Sequence, residues 1–513
     1  MVRINRGLRL ALLILAGFSL LAGLVLRLVS FGWNDRLQGD VNLFALTARE
    51  FVLHDRLYYP MKFEYSEFVE YPVLQSPASQ HPPLWPFLGG LLGKLLTTED
   101  TFKTLKVLCE VVGILLIGVL ACFGLRTGRI KETIIAVAII ALSPMLVDFS
   151  ANGSSYILSA LIVVLTVVLL ESFNYGRLRY YVFGGILCGI GILVHSALVC
   201  LPLAFVAFWL WERSPIKWRG VVAFAAAGLL TIAPWLLWNW HHFGRPLYSY
   251  STYFLLGKLG LAHTGIYNDV ITTRITGSID GSTLRAYVDR VLFTADDFSI
   301  QYWRAVGPFC LILAAIGCVR IFRRSRREAV SFTLPFLFYM IIVILWATFK
   351  DRFLVPALPA AYIAASVGFV KLWEGKSVAL RLLGVVCLAG TLAWGVPRYF
   401  DETPTMYFSD DGWHAHLYSR MLPLVGELSD LEPGVVLGVA PSLDGGFETV
   451  YWLGWPFVYG RGRNMREVQK LVDDFGVRYI WSDQATTGMI ESTLPNASLI
   501  LSNENYQVFE LQE

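Results

Sequence analysis

Charge is scarce in this chain. Of 513 residues, 16% are Asp, Glu, Lys or Arg and 55% are hydrophobic, whereas soluble domains carry about 25% charged residues. Most of the chain is therefore not dissolved in water. Cysteine is missing from the long polar stretches: Cys109, Cys122, Cys188, Cys200, Cys310, Cys318 and Cys387 all lie in apolar runs. That distribution argues against a disulfide framework. There is no CxxC pair or Cys/His zinc spacing, so no metal ligand set is assigned. A glycine-rich phosphate loop, internal repeats and low-complexity tracts are also lacking, and a net charge of +3 is too small to argue for a nucleic-acid partner.

Long apolar runs are what the chain has instead. The first, residues 8–31, follows Arg3, Arg6 and Arg9. It exceeds the roughly 7–15 apolar residues of a cleaved signal and reaches the about 20 needed to span a bilayer. It reads as a retained anchor, with Arg27 near its outer end expected to snorkel to the interface. Further apolar segments lie near 104–125, 131–148, 154–171, 179–195, 197–212, 217–238, 303–322, 329–348, 353–373 and 378–397. With the first they predict an α-helical polytopic membrane protein of about 11 spans.

Basic residues set the orientation. Arg126, Arg129 and Lys131, then Arg177 and Arg179, then Arg213, Lys217 and Arg219 fall in alternate loops. So do the five arginines between Arg320 and Arg327, and Lys371, Lys376 and Arg381. Cytoplasmic loops collect such bases. Merging 179–195 with 197–212 would invert every later loop, so the two are counted apart. The N-terminus is then expected in the cytoplasm and the C-terminus outside it. This predicts a transmembrane domain over 1–397 with outer loops 32–103 and 239–302, followed by an extracytoplasmic α/β domain over 398–513.

Within the first loop, apolar residues recur at helical spacing from Asp40 to His54 and again from Leu84 to Leu96. Both segments are too short to cross a membrane and read as interfacial helices. In the tail, Asp411–Leu428 and Asn464–Phe475 read as helices. Val435–Ala440, Val477–Ser482 and the Leu499–Leu511 region read as strands, and the alternation predicts a partly parallel sheet.

Three polar sites are predicted to share the outer face. Asp40 follows the first span; it is either a helix cap at the water boundary or a general base that takes the proton of an attacking hydroxyl. His81 precedes Pro82 and Pro83, which remove two backbone donors and restrict the chain. It either stiffens the start of the next helix or donates to an anionic oxygen. Lys350 and Arg352 flank Asp351 in a short outer connection, against the charge trend. Either Asp351 and Arg352 form an ordinary surface pair, or Arg352 grips a phosphate bidentately with Lys350 as a point charge. Arg49, Glu50, Asp148, Tyr156 and His195 are lesser candidates for substrate contact. His241 and His242 are adjacent, a poor metal spacing, in an aromatic-rich edge from Trp240 to Tyr253 suited to a lipid or sugar, and Asp410 and Asp411 read as a helix cap.

At these residues the chain resembles the GT-C superfamily of polytopic glycosyltransferases, in the branch of protein O-mannosyltransferases and lipid A aminoarabinose transferases. The resemblance covers about residues 1–400 in layout. Gly39-Asp40 followed by Ala48-Arg49-Glu50-Phe51 is similar to the first-loop motif whose Asp is taken as catalytic base. His81-Pro82-Pro83-Leu84 is similar to the end of that loop, where some relatives place a Lys on the donor phosphate. Phe149-Ser150 through Tyr156, Asn239 through Pro246-Leu247, and Arg352-Phe353 with Pro356 and Pro359 resemble later motifs. Two departures stand out: Val41 follows Asp40 where protein mannosyltransferases have an Asp-Glu pair, and Ala151-Asn152 stand where relatives often have Arg and an acid. The resemblance therefore does not carry over a second catalytic or metal-binding carboxylate.

The resemblance implies an inverting transfer of a hexosyl or pentosyl group from a polyprenyl-phosphate donor to a lipid, glycan or protein acceptor outside the cytoplasm. Asp40 would act as base, with His81, Lys350 and Arg352 on the phosphate; a divalent cation is left open as cofactor. Rival expectations are a lipid-linked saccharide flippase, which would carry inverted repeats and charges at the bilayer midplane, and a polysaccharide ligase.

Overall fold

The computed structural model describes residues 6–33, 40–59, 61–63, 76–77, 81–212, 218–244, 246–247, 281–346, 350–394, 427–428, 430–439, 455, 457–459, 469, 472–473, 476–502 and 506–512. The chain divides into two compact units. One holds Met1–Asp35, Lys106–Leu237 and Asp280–Phe408; the other holds Arg36–Leu105, Trp238–Ile279 and Ser409–Glu513.

In chain order the helices begin with α1 (Arg6–Trp33), α2 (Asp40–His54), α3 (Leu84–Leu95), α4 (Thr101–Thr127) and α5 (Ile130–Ala141). Next come α6 (Pro144–Phe149), α7 (Tyr156–Glu171), α8 (Leu178–Val194), α9 (Cys200–Glu212) and α10 (Trp218–Phe243). Then follow α11 (Gly281–Val306), α12 (Pro308–Arg324), α13 (Arg326–Leu345), α14 (Leu358–Trp373), α15 (Val378–Trp394) and, in the tail, α16 (Gln484–Thr493).

The first unit is helical. Each of the eleven apolar stretches contains helix, but among the described residues length and composition by themselves qualify three to cross a membrane: Thr101–Thr127, Trp218–His242 and Arg326–Leu345. A fourth arises if α11 and α12, bent by 101° at their junction, are one broken span. The bend falls at Gly307, whose φ of 81° suits a residue without Cβ, just before Pro308. The stretch 131–148 is likewise divided: Pro144 opens α6 and leaves α5 only 12 residues. Shorter apolar helices make up the rest. Close packing joins α12 to α14, where a Cβ on Gly317 would fall 1.7 Å from the Ala364 carbonyl oxygen. One on Gly368 would fall 1.9 Å from that of Leu313. Small residues let two backbones approach where lipid supplies no hydrophobic drive.

Arg27 corrects one expectation. Its side chain does not snorkel outward: the residue is 2% exposed, and Nη1 donates to the carbonyls of Gly23 (3.0 Å) and Ala141 (2.9 Å). It satisfies the C-terminal carbonyl of α5, which has no partner within its own helix.

In the second unit α3 lies on α2 through glycines. A Cβ at Gly90 would meet the Ala48 carbonyl oxygen at 2.8 Å, and one at Gly93 would meet Val52 at 2.9 Å. The start of α4 is tied on by Thr101, donating to Ala45 O (2.7 Å), and Thr104, donating to Gly89 O (3.0 Å). The strands are β1 (Tyr58–Tyr59), β2 (Met61–Phe63), β3 (Ser76–Pro77), β4 (Val435–Gly438), β5 (Phe457–Tyr459), β6 (Val477–Asp483), β7 (Ala497–Ser502) and β8 (Tyr506–Leu511). A six-stranded sheet runs β2-β5-β4-β6-β8-β7. Its first four strands are parallel, and β8 and β7 join antiparallel. The mixed sheet expected of the tail is present, and its edge strand β2 comes from the first loop. Leu437, Ile480 and Phe509 from the sheet, Ile490 from α16 and Leu494 just after that helix form its core. Most of Asp411–Leu428 and of Asn464–Phe475 lies outside the described residues.

Candidate functional site

The second unit brings Asp40 and His81 together. Asp40 opens α2, where a carboxylate is favoured by the N-terminal end of the helix dipole. His81 stands just before Pro82-Pro83, and Pro83 caps α3. His81 Nε2 lies 3.5 Å from Asp40 Oδ1, with the two side chains 19% and 14% exposed. Phe44, one turn along α2 from Asp40, packs on the imidazole at 5.0 Å between centroids. From sequence Phe44 reads only as part of the apolar side of this helix, although its i+4 spacing places it beside Asp40.

Arg49 and Glu50 lie farther along α2, about 14 Å from Asp40 at 1.5 Å per residue. There they engage other charges: Arg49 meets Glu99 at 3.6 Å and Glu50 meets Arg56 at 3.9 Å. Burial pushes the Glu50 carboxyl above the usual carboxylate range, while His54, Arg56 and Arg49 pull it back.

The first unit gathers Tyr156, His195 and Arg352. Arg352 sits in a single 3-10 turn, Asp351–Leu354, preceded by the extended and exposed Lys350. Its Nε donates to the Tyr156 hydroxyl at 3.0 Å, and its guanidinium carbon lies 5.9 Å from the ring centres of both Tyr156 and Phe353. His195 ends α8, and its Nδ1 accepts from the Ala197 N–H at 3.2 Å. In the neutral ring Nε2 therefore carries the proton. The His195 ring lies 5.0 Å from Tyr156 and 6.0 Å from Phe353. Tyr339 on α13, absent from the sequence reading, donates to the Phe353 carbonyl at 3.0 Å and holds the 3-10 turn. Asp148 is partly buried on α6, whose last residue Phe149 packs on Tyr156 at 5.9 Å.

A cavity in the same unit lies elsewhere. It is walled by apolar residues such as Phe123, Val164 and Phe332, together with Arg129, Glu132, Glu171 and Glu328, and includes none of the candidate site residues. Among the described residues, no three His, Cys, Asp or Glu side chains are grouped to hold a metal ion.

The sequence model of the dolichyl-phosphate-mannose-protein mannosyltransferase family matches residues 80–238. No curated protein matches the chain. Among solved structures the chain is similar to ArnT from Cupriavidus metallidurans bound to undecaprenyl phosphate, with a TM-score of 0.60 and 14% identity over 96% of this chain and 97% of that one. The apo state of ArnT gives 0.62 and 13% over the same shares. The apo oligosaccharyltransferase of Archaeoglobus fulgidus gives 0.52 and 14%, over 98% of this chain and 74% of that one. The family match covers about a third of the chain, and the likeness to the solved structures, which runs along nearly all of it, is a likeness of fold.

Proposed function

We propose that the chain is an inverting glycosyltransferase that moves a sugar from a polyprenyl-phosphate carrier to the hydroxyl of an extracytoplasmic lipid, glycan or protein. The observation that carries this reading is the 3.5 Å contact between Asp40 and His81, both largely withdrawn from solvent. Undecaprenyl phosphate on the similar ArnT supports the carrier class.

In this mechanism Asp40 takes the proton of the acceptor hydroxyl. The acceptor oxygen bonds to the anomeric carbon from the face opposite phosphate. The carbon–oxygen bond to phosphate breaks with its electron pair leaving on the phosphate, so the configuration inverts. His81, Lys350 and Arg352 supply positive or donor groups for the departing charge, the electrostatic share of catalysis. Cytoplasmic placement of the N-terminus and extracytoplasmic placement of the tail belong to the same reading.

The test uses purified full-length protein in lipid with a panel of polyprenyl-phosphate sugars, following release of polyprenyl phosphate. Asp40→Asn is expected to lower turnover about 10²- to 10⁴-fold with donor binding retained. Turnover at the wild-type rate removes Asp40 as base.

A further inference from the structure

Residues 281–302 read by sequence as the end of an outer loop, yet they are helical and continue into the next apolar stretch as α11. At Gly307 the chain turns by 101° before Pro308 opens α12. α12 packs beside α13 and α14, and α13 is long and apolar enough to cross a membrane. A helix turned nearly at right angles to such neighbours runs along the membrane plane.

The hydrogen bonds of α11 give the same course independently. Near its start, the Tyr287 hydroxyl donates to the carbonyl of Leu345, the last residue of α13, at 2.6 Å. Farther along, the Tyr302 hydroxyl donates at 3.3 Å to the carbonyl of Ala357, just before α14. Next to it the Arg304 carbonyl accepts from Nε1 of Trp394, the last residue of α15, at 2.9 Å. All three anchors stand at one end of the bundle, opposite the arginine-rich link between α12 and α13. Tyr287 and Tyr302 are about 22 Å apart along the helix, so α11 lies across that end as a strap.

Its side chains sort into three faces. Tyr287, Val291, Thr294, Phe298 and Tyr302 recur at helical spacing, and all are buried or half-buried. Beside them Leu284, Val288, Leu292 and Trp303 form an exposed apolar stripe. The Tyr287 bond sets this stripe next to the end of α13, where Ile341 and Leu345 are exposed too. The apolar outside of a spanning helix thus continues onto α11. The third face exposes Asp289 and Arg290 and is interrupted by Phe293. At a bilayer surface each face has its solvent: acyl chains for the stripe, water for the charges, and the boundary for the tryptophan.

From these observations we infer that α11 is an interfacial helix whose partner is the phospholipid surface itself. The stripe from Leu284 to Trp303 enters the headgroup and upper acyl layer of one leaflet. The inference does not depend on the glycosyl-transfer reading.

The test uses the full wild-type chain in phosphatidylcholine nanodiscs that carry one of two photoactivatable lipids. One bears an aryl diazirine on the acyl carbons nearest the glycerol, the other at the chain end, and adducts are mapped by mass spectrometry. The shallow probe is expected to label residues 284–303 about tenfold more than the deep one. Adducts should fall on the stripe and spare Asp289 and Arg290, while the spanning α4 is labelled by both probes. Equal labelling of α11 by the deep probe makes it half of a broken span; labelling by neither leaves it in water. Either result overturns the inference. A second measurement follows reaction with a membrane-impermeant maleimide, with wild type as the background from native cysteines and melting midpoints as a check on folding. Val288→Cys and Leu292→Cys should react about tenfold more slowly than Asp289→Cys and Arg290→Cys. Equal rates in the two pairs also overturn it.

Discussion

At its first residue, α7 presents Tyr156 to the guanidinium of Arg352; at its last residue, about 22 Å away by helical rise, it presents Glu171 to Arg129. At that second end Arg129 Nη2 lies 2.7 Å from Glu171 and 3.1 Å from Glu328, and Arg324 lies 2.5 Å from Glu132 and 3.4 Å from Glu328. The network joins the α4–α5 link, α5, α7, α12 and α13, and Ser325 caps α13 by accepting from the Glu328 N–H. One end orients an arginine with a neutral hydroxyl, the other ties arginines to carboxylates. The difference teaches what each end can do. Cations matched by anions hold helices together and have little charge left to offer. The Tyr156 hydroxyl and the ring faces orient Arg352 without adding charge of their own.

Substitutions can break or sharpen that contrast. The largest effect is expected where packing serves the whole unit. Gly317→Ala would press a methyl onto the Ala364 carbonyl and should cost about 3 kcal/mol or more, lowering the melting midpoint and the yield of folded protein. A midpoint equal to wild type would mean that α12 and α14 can separate freely.

Arg352→Ala comes next and should act at one end alone. Undecaprenyl phosphate affinity is expected to fall about 100-fold while the midpoint moves little; unchanged affinity would erase the difference between the ends. Glu328→Ala is the converse. Its side chain is 8% exposed and serves two arginines, so its loss should destabilise by about 2 kcal/mol with phosphate affinity within about twofold. A large affinity loss without a change in melting would place ligand binding at the wrong end.

The smallest effect concerns Glu50, a buried carboxylate with a distant partner. Burial raises its folded-state pKa above the unfolded one, so the folded chain holds that proton more tightly. The side chain therefore favours folding below the unfolded value, and that contribution is lost as pH rises through the folded value. Glu50→Gln should raise the midpoint slightly at pH 7, by less than about 1 kcal/mol in stability, and should not raise it near pH 4. A gain confined to pH 4 would reverse the assigned sign.

Much of the local structure was legible because its causes are local. The amphipathic spacing from Asp40 to His54 predicts a helix with those bounds, and the one predicted to start at Leu84 ends at Leu95, one residue early. Proline placement explains both boundaries at Pro83 and Pro144. Val477–Ser482 is a strand with one added residue. Less of the site was legible. Asp40, His81, Tyr156, His195 and Arg352 could be singled out by type and setting, yet nothing near Tyr156 announces that its hydroxyl will meet Arg352. The burial of Arg27 was unreadable for the same reason, because the carbonyl it satisfies belongs to Ala141. Nor does Met61–Phe63 reveal in sequence that it will pair in parallel with Phe457–Tyr459.

Composition and periodicity alone determined that this is a membrane protein of apolar helices with a small mixed sheet, because burial in lipid and helical spacing are written in runs of neighbouring residues. Tertiary structure decided which partners the buried charges meet. That outcome depends on which distant side chains arrive within about 3 Å, and no stretch of contiguous sequence records such distances.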